Sequence, residues 1–569
     1  MEKISPIPAT ISTTSQRPAR LDLWVMLTIA LTALTSRFLF SHEFYLYEDD
    51  WYFYGTSINK CSGSVAQFLN YISGLIFSFQ QGRPLGFAFP AAVACTIGQF
   101  GLAPIYLLGY AVFVGVCLLF FYIVRSMSDW RLALLAAVIV AIQPWDTTAA
   151  FYTHIVQVQM STLCALAAAR FAMHDRLLSL GGASLLTFFA LNFYEGPAVI
   201  ISLPVVYLFA SGRMAHAFRL ACVVALAFLI YGLLRIELHE ARVAQSLGLD
   251  IGSVVPRNMV MLGKAALAIP GYMLRSLIQT NFSSVFVIAL AATLVLAIIM
   301  FIQLRIDAPA DDSVPEGRSN VAILIAASVL LVIGLLPFSL FGELWPNLGG
   351  RTGRYFSASI YGGAIIAAWL LLLLCRLPRG YVVFRASVVA GVFLCISYGL
   401  VIQRQLIAFG QDQIRIYYQM MKLIADIGPD VDVIFIAEDE LNYDRNAAMY
   451  IYTWAIDDMP GYFFKGSLPR RTWIIGVPPT GSLKIEGDEL VAGPDVRYQH
   501  DPLLPLRVGS IAVVAFNRDG ARRLDSYVVD GRDVAKPGKP GSDAWESLPR
   551  TRFGDMFLER AIAESGFAR

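Results

Sequence analysis

The stretch Leu85-Gly86-Phe87-Ala88-Phe89-Pro90-Ala91-Ala92-Val93-Ala94-Cys95-Thr96-Ile97-Gly98-Gln99-Phe100-Gly101-Leu102 decides how this chain is organised. It is apolar, but a helix needs roughly 20 residues to cross a hydrocarbon core of about 30 Å. The stretch is shorter than that, and Pro90, Gly86, Gly98 and Gly101 interrupt it. If it crosses, every later loop changes side.

The flanking sequence arbitrates. Of the 569 residues, 57% are hydrophobic and 15% charged, against about 25% charged in a soluble protein. The apolar residues fall in blocks near 21–41, 104–124, 131–145, 156–173, 177–193, 196–210, 217–235, 284–304, 320–341, 357–375 and 382–402. With 85–102 not crossing, the inside loops carry Arg125 and Arg131, Arg170 and Arg176, Arg213 and Arg219, Arg305 and Arg318, then Arg376, Arg379 and Arg385. The outside loops 146–155 and 194–196 carry no Lys or Arg. Cytoplasmic loops are the basic ones in membrane proteins, and the opposite choice breaks that rule at every turn. The expectation is therefore a polytopic α-helical membrane protein of eleven spans, with 85–102 lying along or dipping into the outer interface.

The N-terminal segment 1–20, with Lys3, Arg17 and Arg20, is expected in the cytoplasm. The run from Leu21 to Phe40 is too long for a signal-peptide core and lacks a small-x-small cleavage site, so it reads as a retained first helix. Residues 21–403 form the transmembrane domain, with a large outer loop at 42–103. From Arg404 the composition turns soluble-like. An amphipathic stretch, Ile414 to Ile427, meets a stop at Gly428-Pro429-Asp430. The runs Val431–Ala437, Trp473–Val477 and Ile511–Phe516 read as strands. Gly531 to Asp543 reads as loose. Residues 404–569 are thus expected to be an extracytoplasmic α/β domain of an inner-membrane protein. The seven cysteines show neither a disulfide framework nor a zinc spacing; only Cys61 sits in a polar loop.

The polar residues that break the apolar pattern gather at outer ends. The first outer loop opens with Tyr47-Glu48-Asp49-Asp50-Trp51-Tyr52. Clustered carboxylates at a membrane surface repel and lose hydration, so they imply a metal, a cationic partner or a proton to move. Asp49 and Asp50 are the candidate bases; Glu48 and Trp51 are candidate substrate contacts, and the cluster would admit a divalent cation, Mg2+ or Mn2+. The alternative for this segment is a solvated loop with interfacial aromatics. The loop ends on Gln80-Gln81-Gly82-Arg83-Pro84, where Arg83 suits a phosphate or anchors the interface. His154 follows Trp145-Asp146, and Glu195 sits in the break Asn192-Phe193-Tyr194-Glu195-Gly196-Pro197. The last outer loop reads Gly349-Gly350-Arg351-Thr352-Gly353-Arg354-Tyr355, in which guanidinium groups on a glycine-rich backbone suit phosphate.

A first helix followed by a large outer loop opening with Asp49-Asp50 resembles the C-type (GT-C) integral membrane glycosyltransferases. The segment from Glu48-Asp49-Asp50 to Gly82-Arg83-Pro84-Leu85 looks closest to the serotype-converting, Gtr-type glucosyltransferases. The Tyr194-Glu195-Gly196-Pro197 break is similar to that of the protein O-mannosyltransferase and aminoarabinose transferase relatives, which have lysine where this chain has Tyr194. Arg354-Tyr355 is similar to an Arg-Tyr pair in the late outer loops of several such families. The resemblance covers the membrane region and not the C-terminal domain. It implies an inverting transfer of a sugar from a polyprenyl-phosphate donor to a glycan, glycolipid or protein acceptor on the outer face, among membrane lipids. Contacts to substrate are then expected from Glu48, Trp51, Arg83, His154, Glu195, Arg351, Arg354 and Tyr355. No Walker A loop, zinc-protease helix or Gly-x-Ser-x-Gly elbow occurs, and no motif points to nucleic acid. The competing classes are a transporter or flippase of a lipid-linked saccharide, which calls for mid-membrane charges and inverted repeats, and a non-catalytic scaffold presenting 404–569.

Overall fold

A computed structural model describes residues 19–237 except 48, 62, 79–81 and 147–149; scattered positions between 256 and 278; 283–306; 318–335; 354; 356–375; 377–425 and 427; 431–438; 463–465; 472–475; 483–492; 505–536 except 518; and 548–565. The chain is mostly helical, with strands confined to its C-terminal region. In chain order the helices are α1 (Ala19–Ala33), α2 (Asp50–Lys60), α3 (Val65–Ser78), α4 (Pro84–Cys95), α5 (Ala103–Met127), α6 (Trp130–Ile142), α7 (Met160–Ala172), α8 (Leu177–Phe193), α9 (Glu195–Ala198), α10 (Ser202–Ala210), α11 (Met214–Glu237), α12 (Ser283–Ile306), α13 (Arg318–Ile333), α14 (Ser359–Leu374), α15 (Gly380–Ala425) and α16 (Arg552–Ser565). Five helical stretches among the described residues are long and apolar enough to cross a membrane: Asp22–Glu43, Ala103–Met127, His154–Ala172, Met214–Glu237 and Gly380–Ile424. Further apolar helical stretches of 10–17 described residues include Pro84–Phe100, Trp130–Ile142, Leu177–Phe193 and Val287–Met300.

The helices alternate in direction, and their ends meet in two groups. At one end Arg125 at the foot of α5 pairs with Asp22 of α1 at 2.8 Å, Arg219 of α11 pairs with Asp175 at 2.6 Å, and Ser128 meets Asn320 of α13 at 3.4 Å. At the other end lie the 42–103 segment, the 143–154 connection, the α8–α9 break and Arg354. Helix α4 has 12 residues, about 18 Å at 1.5 Å per residue. Its Gly86 packs so closely on Phe193 that an added Cβ would lie 2.6 Å from that carbonyl oxygen. Helices α2, α3 and α4 of the 42–103 segment pack on one another, and α4 also packs against α8. Cys61 and Cys95 form a disulfide across this segment, with Cα atoms 5.6 Å apart, which corrects the reading that the cysteines show no disulfide framework. The two thiols lie 34 residues apart in sequence; only the fold of α2 onto α4 brings them together.

Helix α15 has 46 residues, about 69 Å of helix, more than twice a hydrocarbon core. Composition changes at 404, but the helix does not break there, because it holds no proline and its amphipathic pattern continues. Gly399 lets it press against the backbone of Ser36 in the first apolar stretch, and Gly410 against the Tyr45 ring of the segment that follows; a Cβ at either position would clash. The upper half of α15 carries the C-terminal sheet, whose strands β1 (Asp432–Ala437), β2 (Thr472–Ile475), β6 (Ile511–Asn517) and β7 (Gly520–Leu524) lie in the order β2-β1-β6-β7. The first three are parallel and β7 is antiparallel. Val433, Phe435, Ala512 and Val514 join the core shared with α15, while Ile434, Ile436, Ile511 and Val513 face a second core. Burial on both faces is why β1 and β6 read as unbroken apolar runs. The second core is closed by β3 (Leu483–Glu486), β4 (Glu489–Ala492), β5 (Leu506–Arg507), β8 (Val528–Val529) and β9 (Arg532–Asp533). The hairpin β8–β9 turns at Asp530 and Gly531, both with positive φ, so the expected loose segment begins with ordered pairing; residues 537–547 lie outside the described residues.

Candidate functional site

Asp50 opens α2 and is fully buried. Its Oδ2 accepts from the backbone N–H of Tyr47 at 3.1 Å and of Tyr152 at 3.0 Å. Its Oδ1 accepts from the Thr153 N–H and the Thr153 hydroxyl, both at 2.8 Å. Burial pushes the carboxyl up to about 7, against the pull of the bonds from Thr153, Tyr47 and Tyr152. Four donors from the chain itself surround the buried carboxyl group. Asp50 is thus placed as the clasp that ties the first outer segment to the 152–153 turn, rather than as a base facing substrate. Asp49 caps the same helix with its backbone only, and its side chain is half-buried. Trp51 is also turned inward. It is 3% exposed and lies edge-on to Tyr417 of α15 and Phe553 and Phe557 of α16, at 4.8, 5.9 and 5.5 Å. Helical spacing puts Trp51 on the buried face of α2, so it anchors the C-terminal helix instead of meeting a sugar. Among the described residues no three His, Cys, Asp or Glu side chains converge as metal ligands.

The turn held by Asp50 leads directly into His154, the first residue of a π-helical segment, His154–Gln159. Such π turns often occur at functional sites because they re-aim side chains. His154 Nε2 is 3.5 Å from Arg354 Nη1. The Arg354 guanidinium carbon lies 5.6 Å from the centre of the Tyr194 ring, and that of Arg83 lies 4.3 Å from the same ring. Arg83 Nε and Nη2 donate to Glu195 Oε2 at 2.7 and 2.6 Å. Glu195 Oε1 accepts from Arg235 Nη1 at 2.9 Å and from the Tyr231 hydroxyl at 3.2 Å. Burial opposes the charge on Arg83, but the Glu195 carboxylate outweighs it and raises the arginine's pKa further.

Arg83, His154, Glu195 and Arg354 are thus brought together from four separate loops, as one cluster, and Thr153 joins it to Asp50. Arg235 and Tyr231 complete it and were not among the sequence candidates. Arg235 reads in sequence as the last residue of an apolar block, and in the structure it is the last basic residue of α11. Gly82 makes room for it: with φ +68°, a Cβ there would lie 2.6 Å from Arg235 Nε, and its carbonyl accepts from Tyr231 at 2.9 Å. Glu48, Arg351 and Tyr355 lie outside the described residues. A groove of about 590 Å³ along α15, lined by Val382, Arg385, Val389 and Phe393, belongs to the first turns of that helix, away from this cluster. No protein-family model and no curated protein sequence matches this chain.

Proposed function

We propose that the chain is a GT-C-like membrane glycosyltransferase of eleven spans that moves a sugar from a polyprenyl-phosphate donor to an acceptor hydroxyl on the outer face of the membrane. The observation that carries this reading is the cluster of Arg83, Arg235, Arg354 and His154 at the end of an apolar bundle, beside the segment bearing Asp49. A lipid phosphate keeps its tail in the hydrocarbon and its anion at headgroup level, where guanidinium groups at helix ends can meet it. Asp49 takes the proton of the acceptor hydroxyl as that oxygen attacks the anomeric carbon. The bond from that carbon to the phosphate oxygen breaks, and the arginines receive the charge that develops on the leaving phosphate. Bonds that strengthen as this charge grows lower the barrier as well as the dissociation constant. The Cys61–Cys95 disulfide also supports an outward-facing site, since disulfides persist in oxidising compartments.

Two experiments test the reading. Purified Asp49→Asn protein, given a polyprenyl-phosphate sugar, should form no product by mass spectrometry while remaining folded; near-normal turnover removes Asp49 as the base. A reporter active only outside the cytoplasm, fused after Arg569, should be active. If its cytoplasmic counterpart is active instead, the eleven-span arrangement is wrong.

A further inference from the structure

Two planar guanidinium groups, from α11 and from the turn before α4, grip one planar carboxylate, Glu195. Arg83 meets Oε2 through Nε and Nη2, and Arg235 meets Oε1 through Nη1, all within 2.9 Å. The three side chains are 13–18% exposed, so the knot is shielded without being sealed. Phosphate oxygens would satisfy the same donors. The lipid monophosphate left after transfer has a third terminal oxygen, and a third guanidinium is close: Arg354 and Arg83 both lie against the Tyr194 ring. A carboxylate ligand would only repeat what Glu195 already does.

We infer that Glu195 is an exchangeable internal anion, holding the place of the ligand's phosphate between Arg83 and Arg235 and giving it up when that phosphate enters. This rests on the reading of the cluster as a lipid-phosphate site. Its physical reason is the cost of leaving paired charges uncompensated where water is scarce. With Glu195 in place both guanidinium groups keep an anionic partner in the absence of ligand, with one positive charge in excess. On entry the phosphate replaces one counter-ion by another, so the cations are never stripped of a partner. Tyr231 assists by donating to Glu195 at 3.2 Å or to the Gly82 carbonyl at 2.9 Å, so its hydroxyl keeps an acceptor when the carboxylate leaves.

The test uses the full chain in detergent, with thermal unfolding and titration by farnesyl phosphate and, separately, by inorganic phosphate. Glu195→Gln removes the competing charge. It should lower Tm without ligand, and farnesyl phosphate should restore it. Affinity for farnesyl phosphate should rise about tenfold over wild type, a usual size for coupling between two competing interactions. Glu195→Asp shortens the side chain and should shift affinity the same way, which covers a failure of the first variant to fold. If wild type binds farnesyl phosphate but the variants bind equally or more weakly, Glu195 is a fixed structural knot; the exchange falls while the lipid-phosphate reading stands. If neither wild type nor variants bind farnesyl phosphate, both fall. Tightening seen with inorganic phosphate alone assigns a free anion and overturns the lipid source.

Discussion

Asp50 and Glu195 are both carboxylates at the same end of the bundle, each held from two sides, yet their partners differ in kind. Asp50 is held by three backbone N–H groups and one hydroxyl, with no exposure. Glu195 is held by two guanidinium groups and a phenol, with its side chain 18% exposed. Backbone donors are fixed by the chain and carry no net charge, so they define one permanent acceptor position. Guanidinium groups sit on long side chains and carry charge that any suitable anion can neutralise. The first arrangement clamps two loops together; the second is built like a ligand site. Two carboxylates that look alike in sequence therefore carry different work, and each of the following measurements presses on that contrast.

The largest effect is expected at the clamp. Asp50→Ala leaves four buried donors without an acceptor, and each buried group left unsatisfied costs about 1–3 kcal/mol. The variant should be poorly folded, with Tm lowered by many degrees, whereas Asp49→Asn should keep its Tm and lose activity. If the two swap roles, Asp50 is the catalytic group and the contrast is wrong. Next comes the disulfide that holds α2 against α4. The double variant Cys61→Ser, Cys95→Ser should lose about 3–4 kcal/mol of unfolding free energy for a loop of this length; an unchanged denaturant midpoint would show the bridge to be dispensable.

At the ligand side, Arg354→Ala should lower kcat/KM for donor by about ten- to a hundredfold, the worth of one charge-assisted contact. Arg354→Lys should fall in between, because it keeps the charge and loses the fork. A change confined to acceptor KM would move these arginines to the acceptor side. The smallest effect concerns pH. Folding raises the Asp50 carboxyl from its ordinary value to about 7, so between those values the folded chain holds a proton that the unfolded chain has released. By linkage, stability from this group is fully present below the ordinary carboxylate pKa and is lost as pH rises through about 7. Asp50→Asn cannot titrate, so the Tm advantage of wild type over that variant should shrink from pH 5 to pH 8; a gap that widens reverses the sign.

Much of this molecule is legible in the chain. The blocks at 177–193 and 104–124 become α8 and α5, and the runs at 431–437 and 511–516 become β1 and β6. Helix and strand lengths follow from local apolar pattern, because each helix satisfies its own backbone and each inner strand hides both faces. The arginine asymmetry puts Arg83, His154, Glu195 and Arg354 on a common side, and the structure brings these four together in one cluster. Trp51 and Asp50 were not legible. Both sit in an acidic, aromatic string that reads as surface, and only the turn of α2 against α15, α16 and Thr153 shows that they face inward.

The sequence by itself determined that this is an apolar helical chain with a small α/β end, and which of its loops share a side. Tertiary structure alone decided which carboxylate is held by backbone donors and which by guanidinium groups, which cysteines join, and that Arg235 completes the cluster. The division has a physical cause. Hydrophobic periodicity is a property of neighbours in the chain, whereas the state of a charge depends on what surrounds it, and those partners arrive from loops far away in sequence.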